Sequence, residues 1–194
     1  YIDNGKILVS QSFELGPLAL QDYKKDGKMK IDLISNKLFE MYKSFPKKSE
    51  SLFLVGGCWR AIAKIHMNLN DYPLKVLQGY KISVNNLAST IEKILSEKTS
   101  ELLSYTSSSE ERVRLLPDAC KVLKAIYERF SPKELFFSGY GIREGILFSQ
   151  LSLEIRKLNP LLQACSYLEQ NRARYPGFGQ VLFEWLLPIF PKIR

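Results

Sequence analysis

The chain has 194 residues, 45% hydrophobic and 25% charged, with a formal net charge of +8. That composition excludes a disordered chain, and no apolar run approaches the ~20 residues needed to cross a bilayer. The positive balance attracts polyanions of any kind, yet no recognition-helix, RNP-type or zinc-finger pattern accompanies it, so a specific nucleic-acid partner is not expected.

Residues 1–3, Asn4-Gly5 and residues 6–15 read as the tail of a strand, a hairpin turn and the next strand, because both central residues of a type I′ turn need positive φ. Residues 21–30 are a polar connection, read as a solvated loop or as a rail of Lys24, Lys25, Lys28 and Lys30 for a long polyanion. Ile31, Ile34, Leu38, Met41 and Phe45 have helical spacing, and Pro46 stops that helix. Residues 52–55 predict a short buried strand, followed by the Gly56-Gly57 turn and a helix from near Trp59. Tyr72-Pro73 breaks the chain, and residues 74–82 are extended or irregular. Ser83 caps a helix with Leu87, Ile91, Ile94 and Leu95 on one face. Residues 106–109 start another, with Glu110 and Glu111 in its first turn. Pro117 opens a helix that buries Leu116, Cys120, Leu123, Ile126, Tyr127 and Phe130, and residues 135–137 are the last strand. From Ile142 the pattern is helical. Asn159-Pro160 divides it, Leu161, Leu162, Cys165 and Leu168 form a stripe, and residues 181–190 are a final amphipathic helix.

Two strand–glycine–helix turns carry the chemistry. At Gly56 and Gly57 the missing Cβ atoms let backbone N–H groups approach a ligand, and the helix start adds unpaired donors and a positive dipole end. The bland reading is that the turn only lets the helix pack closely on its strand. Gly139 and Gly141 repeat the pattern about 80 residues later. A parallel sheet places such turns side by side at one sheet end, where ligands of open α/β sheets bind. A site for a phosphorylated ligand is therefore expected. Arg60 either reaches the anion or pairs with a surface acid. Arg112 either grips two phosphate oxygens or stands on a helix surface beside Glu110 and Glu111, with Arg114 as local competitor. Glu144 next to Arg143 would stay ionised and make a poor general acid, so it is given no catalytic role. The three cysteines are odd in number and lack metal spacing, and His66 has no second histidine to form a metal pair. Reduced thiols and a structural histidine are expected. No signal-peptide pattern is present, so a cytoplasmic setting is expected.

VGGCWRAIAKIH, YPLKVLQGYKIS, SEERVRLLPDACKVL and FFSGYGIREGIL, in that order and spacing, resemble the exopolyphosphatase/guanosine-pentaphosphate phosphatase (Ppx/GppA) family of the actin-like superfamily. The resemblance covers roughly residues 1–190. It implies an α/β fold: residues 1–150 as a ribonuclease-H-like (actin-like ATPase) second domain, a mixed sheet with flanking helices that lacks its first strand, and residues 151–194 as the start of a C-terminal helical region. It implies phosphate contacts at Gly56, Gly57, Cys58, Arg60, Arg112, Gly139, Gly141 and Arg143, and Mg²⁺ as cofactor. The family's basic residue after Leu15-Gly16 is replaced here by Pro17-Leu18-Ala19-Leu20. Its Asp-Ile-Gly-Gly-Gly-Ser phosphate loop and catalytic glutamate belong to an N-terminal part that this sequence lacks, so no catalytic residue is assigned. The expectation is a fragment of an enzyme that removes the terminal phosphate of inorganic polyphosphate or the 5′-phosphate of guanosine pentaphosphate, inactive alone. The alternative is a non-catalytic polyanion-binding or interaction module. An absent strand would leave an open sheet edge, so pairing with a second copy or with the missing N-terminal chain is expected.

Overall fold

Asn4 and Gly5 take φ of 46° and 75°, and the turn they form joins β1 (Ile2–Asp3) to β2 (Lys6–Ile7) with Ile2 opposite Ile7. The structure is a computed structural model that describes residues 1–22, 27–45 and 50–189. The second strand stops at Ile7, short of the predicted residues 6–15. The hairpin joins no larger sheet among the described residues, and alternation without a neighbouring strand cannot hold a long strand. Lys24, Lys25, Pro46 and the side chain of Lys28 lie outside the description.

The chain divides into two compact units, Tyr1–Gly141 and Ile142–Arg194. In the first, α1 (Pro17–Asp22) and α2 (Gly27–Ser44) pack a small cluster of Leu15, Leu20, Ile34, Leu38 and Val122. Lys30 is not available to a lysine rail: its Nζ lies 2.7 Å from Asp118 Oδ2.

The main layer is a sheet of β3 (Ser51–Val55), β4 (Tyr80–Ser83) and β5 (Glu134–Ser138) in the order β3-β5-β4. β5 runs parallel to β3 and antiparallel to β4, and Val55 is level with Ser138. Around it lie α3 (Gly57–Leu69), α4 (Val84–Ser96), α5 (Thr99–Leu102), α6 (Glu110–Arg114) and α7 (Leu116–Phe130). Leu54, Leu135, Phe137, Tyr80 and Ile82 join the buried sides of these helices in one core. β3 is expected from its sequence to be a buried strand; instead Phe53 and Val55 are exposed, and Phe53 stacks on Phe136 with ring centroids 5.1 Å apart. Alternate residues face opposite sides of a strand, and the helices cover one side. Ser83 Oγ accepts from Asn86 N–H at 3.3 Å, as the cap requires.

His66 is structural. It is buried, its Nδ1 lies 2.7 Å from the Tyr80 hydroxyl, and its Nε2 has no partner among the described residues. Burial holds its pKa below the ordinary value, so the fold favours the neutral ring. Below the unfolded pKa of about 6.5 the unfolded chain binds the extra proton and the native state does not. Stability is therefore present above that pH and is lost as pH falls through the folded value. Thermal melts at pH 7.5, 6.5 and 5.5 are expected to show a falling midpoint. His66→Gln should flatten that dependence; an unchanged slope would contradict this role.

The second unit holds α8 (Ile142–Ser149), α9 (Leu153–Lys157), α10 (Pro160–Arg172) and α11 (Phe178–Leu186). Asn159 caps α10, its Oδ1 accepting from Leu161 and Leu162 N–H at 3.0 and 3.3 Å. Glu169 Oε1 accepts from Gly179 N–H at 2.7 Å and ties α10 to the start of α11. The predicted stripe of Leu161, Leu162, Cys165 and Leu168 is exposed. Among the described residues, no helix is long and apolar enough to cross a membrane.

Candidate functional site

Gly56 has φ 142° and ψ 167°, a region that only glycine enters readily, and it sets the chain at the mouth of α3. It offers no side-chain cap. The first helical bond of the turn runs from Arg60 N–H to Gly56 O at 3.1 Å, so the N–H groups of Gly57, Cys58 and Trp59 precede the helix ladder with no intrahelical acceptor. Trp59 packs against both core clusters, which fixes the axis along which these amides point.

The space a side chain would take at Gly57 is filled by Arg112. A Cβ at Gly57 would stand 2.7 Å from Arg112 Nε, 3.1 Å from Cζ and 3.3 Å from Nη2. The guanidinium thus rests against the backbone that carries the amides with no intrahelical acceptor. Arg114 pairs with Glu110 one turn away, whereas Arg112 has no carboxylate partner among the described residues. The Cys58 side chain turns into the core beside Cys120, leaving its N–H as the group it can offer an anion. Burial raises the Cys58 thiol pKa, with Arg112 pulling the other way. Burial, together with Cys58, pushes Cys120 up to about 12. Neither thiol is poised as a nucleophile.

The second turn lies beside the first, since Val55 and Ser138 are level in neighbouring strands. Arg60 spans the two: its Nη1 donates to Gly139 O at 3.2 Å. Gly139 N–H donates to Gln78 Oε1 at 2.8 Å, and Tyr140 N–H to Ser138 Oγ at 3.1 Å. Gly56, Gly57, Cys58, Arg60, Arg112 and Gly139 are thus brought together, and Gly141 closes the same unit. Arg143 belongs to the second unit, in the exposed first turn of α8. Gln78 is a site neighbour that sequence reasoning did not single out, although it stands in the YPLKVLQGYKIS stretch. An uncharged side chain in an irregular segment carries no signal of its own.

No three His, Cys, Asp or Glu side chains converge to hold a metal among the described residues.

Glycine turns at the carboxyl ends of adjacent parallel strands, on a mixed sheet flanked by helices, define an α/β protein of the actin-like ATPase fold. The profile of the Ppx/GppA phosphatase family matches residues 1–154, and the chain belongs to that family. Among solved structures it is similar to an exopolyphosphatase from Cytophaga hutchinsonii, with 18% identity and a TM-score of 0.66 over 76% of this chain and 51% of that one. It is also similar to an Aquifex aeolicus Ppx/GppA phosphatase, with 17% identity and a TM-score of 0.58 over 71% and 48% of the two chains. These likenesses carry the fold alone, and the chain spans about half the length of either structure. No curated protein matches.

Proposed function

We propose that this chain supplies the phosphate-gripping half of a phosphoanhydride hydrolase that removes the terminal phosphate of inorganic polyphosphate or the 5′-phosphate of guanosine pentaphosphate. The observation that carries the reading is the Arg112 guanidinium lying against Gly57, beside three backbone N–H groups at a helix start. Amides aimed at phosphoryl oxygens and a planar cation can stabilise charge on a transferred phosphoryl group without reorganising. Family membership supports the reaction class, and a net charge of +8 suits a polyanionic substrate. A cytoplasmic setting is part of the proposal, supported by three free cysteines.

The water-activating carboxylate is not assigned to this chain, so binding and turnover should separate. The purified 194-residue chain is expected to bind tripolyphosphate in calorimetry yet release no orthophosphate above a buffer control. Release above that control would place a water-activating carboxylate in this chain. Binding without release, even when the N-terminal half of a relative is supplied, would favour a non-catalytic polyanion-binding module.

A further inference from the structure

Gln78 holds the second turn by its side-chain oxygen. Its Oε1 accepts from Gly139 N–H at 2.8 Å and lies 3.3 Å from Ser138 Oγ. An N–H and a hydroxyl from the carboxyl end of β5 therefore converge on one acceptor oxygen, next to the turn at Gly57 on which Arg112 lies. That is the donor arrangement a phosphoryl oxygen needs. We propose that Ser138 Oγ and Gly139 N–H form a second phosphoryl-oxygen subsite, filled by Gln78 Oε1 until a condensed phosphate displaces it, so that Gln78 sets the discrimination between condensed phosphate and single orthophosphate. This rests on the reading that Arg112 and the amides of Gly57 to Trp59 hold the neighbouring phosphoryl group.

Several features make the Gln78 oxygen displaceable rather than structural. Gln78 is exposed, so its side chain can swing into water without leaving a cavity. The backbone around it is held independently: Gly79 N–H donates to Phe137 O at 3.0 Å and Tyr80 N–H to Leu77 O at 3.0 Å. Arg60 keeps Gly139 O on α3 when Gln78 departs. The Ser138 hydroxyl already has a second acceptor, Tyr140 O at 3.0 Å, so its proton can turn either way. An ionised phosphoryl oxygen is a stronger acceptor than a neutral amide carbonyl and wins the exchange once its neighbour is tethered at Gly57. Orthophosphate has one phosphoryl group. Held at Gly57, it leaves Gln78 in place.

The test is calorimetry of the chain with orthophosphate and with tripolyphosphate, for wild type, Gln78→Ala, Gln78→Glu and Arg112→Ala, with the Gly139 amide followed by NMR in the wild type. Removing the competitor should tighten tripolyphosphate about fivefold in Gln78→Ala and leave orthophosphate unchanged. A carboxylate grips the N–H harder and repels the anion, so Gln78→Glu should weaken tripolyphosphate about tenfold or more. The Gly139 amide should shift with tripolyphosphate and stay still with orthophosphate. Unchanged or weaker tripolyphosphate binding in Gln78→Ala, or a Gly139 amide that ignores tripolyphosphate, overturns the subsite. If Arg112→Ala also leaves binding intact, or the wild type binds no tripolyphosphate, the first grip falls and the subsite falls with it. Loss in Arg112→Ala alone, with Gln78→Ala unchanged, overturns the subsite and leaves the first grip standing.

Discussion

Arg112→Ala is expected to weaken tripolyphosphate binding about thirtyfold while leaving the melting temperature unchanged. A charge-assisted hydrogen bond contributes about 1.5–3 kcal/mol, and a guanidinium can make two in parallel to one phosphoryl group. Arg112 is exposed and has no carboxylate partner among the described residues, so the fold loses little with it. Arg112→Lys should recover only part of the loss, because an ammonium is a point charge that cannot grip two oxygens in a plane. Arg114→Ala is the control. Arg114 is paired with Glu110 on an exposed helix face, where such a pair is worth about 0.5 kcal/mol. It carries the same charge one residue beyond Val113, so equal losses in the two alanine variants would mean that general positive charge, not placement on Gly57, draws the anion.

Alanine at Gly56 and at Gly57 should have opposite consequences, although the residues are adjacent. At Gly56 the φ of 142° is strained for any residue with a Cβ, and that atom would also stand 3.4 Å from Trp59 Cδ1. Gly56→Ala is expected to cost about 1–3 kcal/mol of stability. At Gly57 the φ is not positive, and the obstacle to a Cβ is the end of a flexible, exposed arginine, 2.7 Å away at Nε. The arginine can swing aside, and alanine favours a helix by up to ~1 kcal/mol over glycine. Gly57→Ala should therefore fold as well as wild type yet bind tripolyphosphate nearly as weakly as Arg112→Ala. The double variant should be no weaker than either single one, since both remove the same contact. Additive losses would show that Arg112 and Gly57 act separately. Denaturant melts and calorimetry on the four proteins decide it.

Much of this arrangement could be read from short-range signals. Asn4-Gly5 takes positive φ because few other pairs can. Ser83 and Asn159 cap helices with their own oxygens. Pro117 stands in the first turn of α7, where a missing N–H is harmless. The glycine turns at 56–57 and 139 were visible as breaks between an apolar run and a helical period. Each of these depends on a residue and its near neighbours, which a sequence lists directly.

What the sequence by itself determined was the element types and the family, because helical spacing, caps and glycine turns are local and four ordered motifs survive together. What only the tertiary structure decided was pairing across distance. β3 is open on one side because the helices cover the other. Lys30 serves Asp118, 88 residues away. Arg112, not Arg114, faces the first turn, and the Gly139 amide is already held by Gln78, 61 residues earlier. Such choices turn on which side chains meet across the packed core, at distances of about 3 Å that no local propensity encodes.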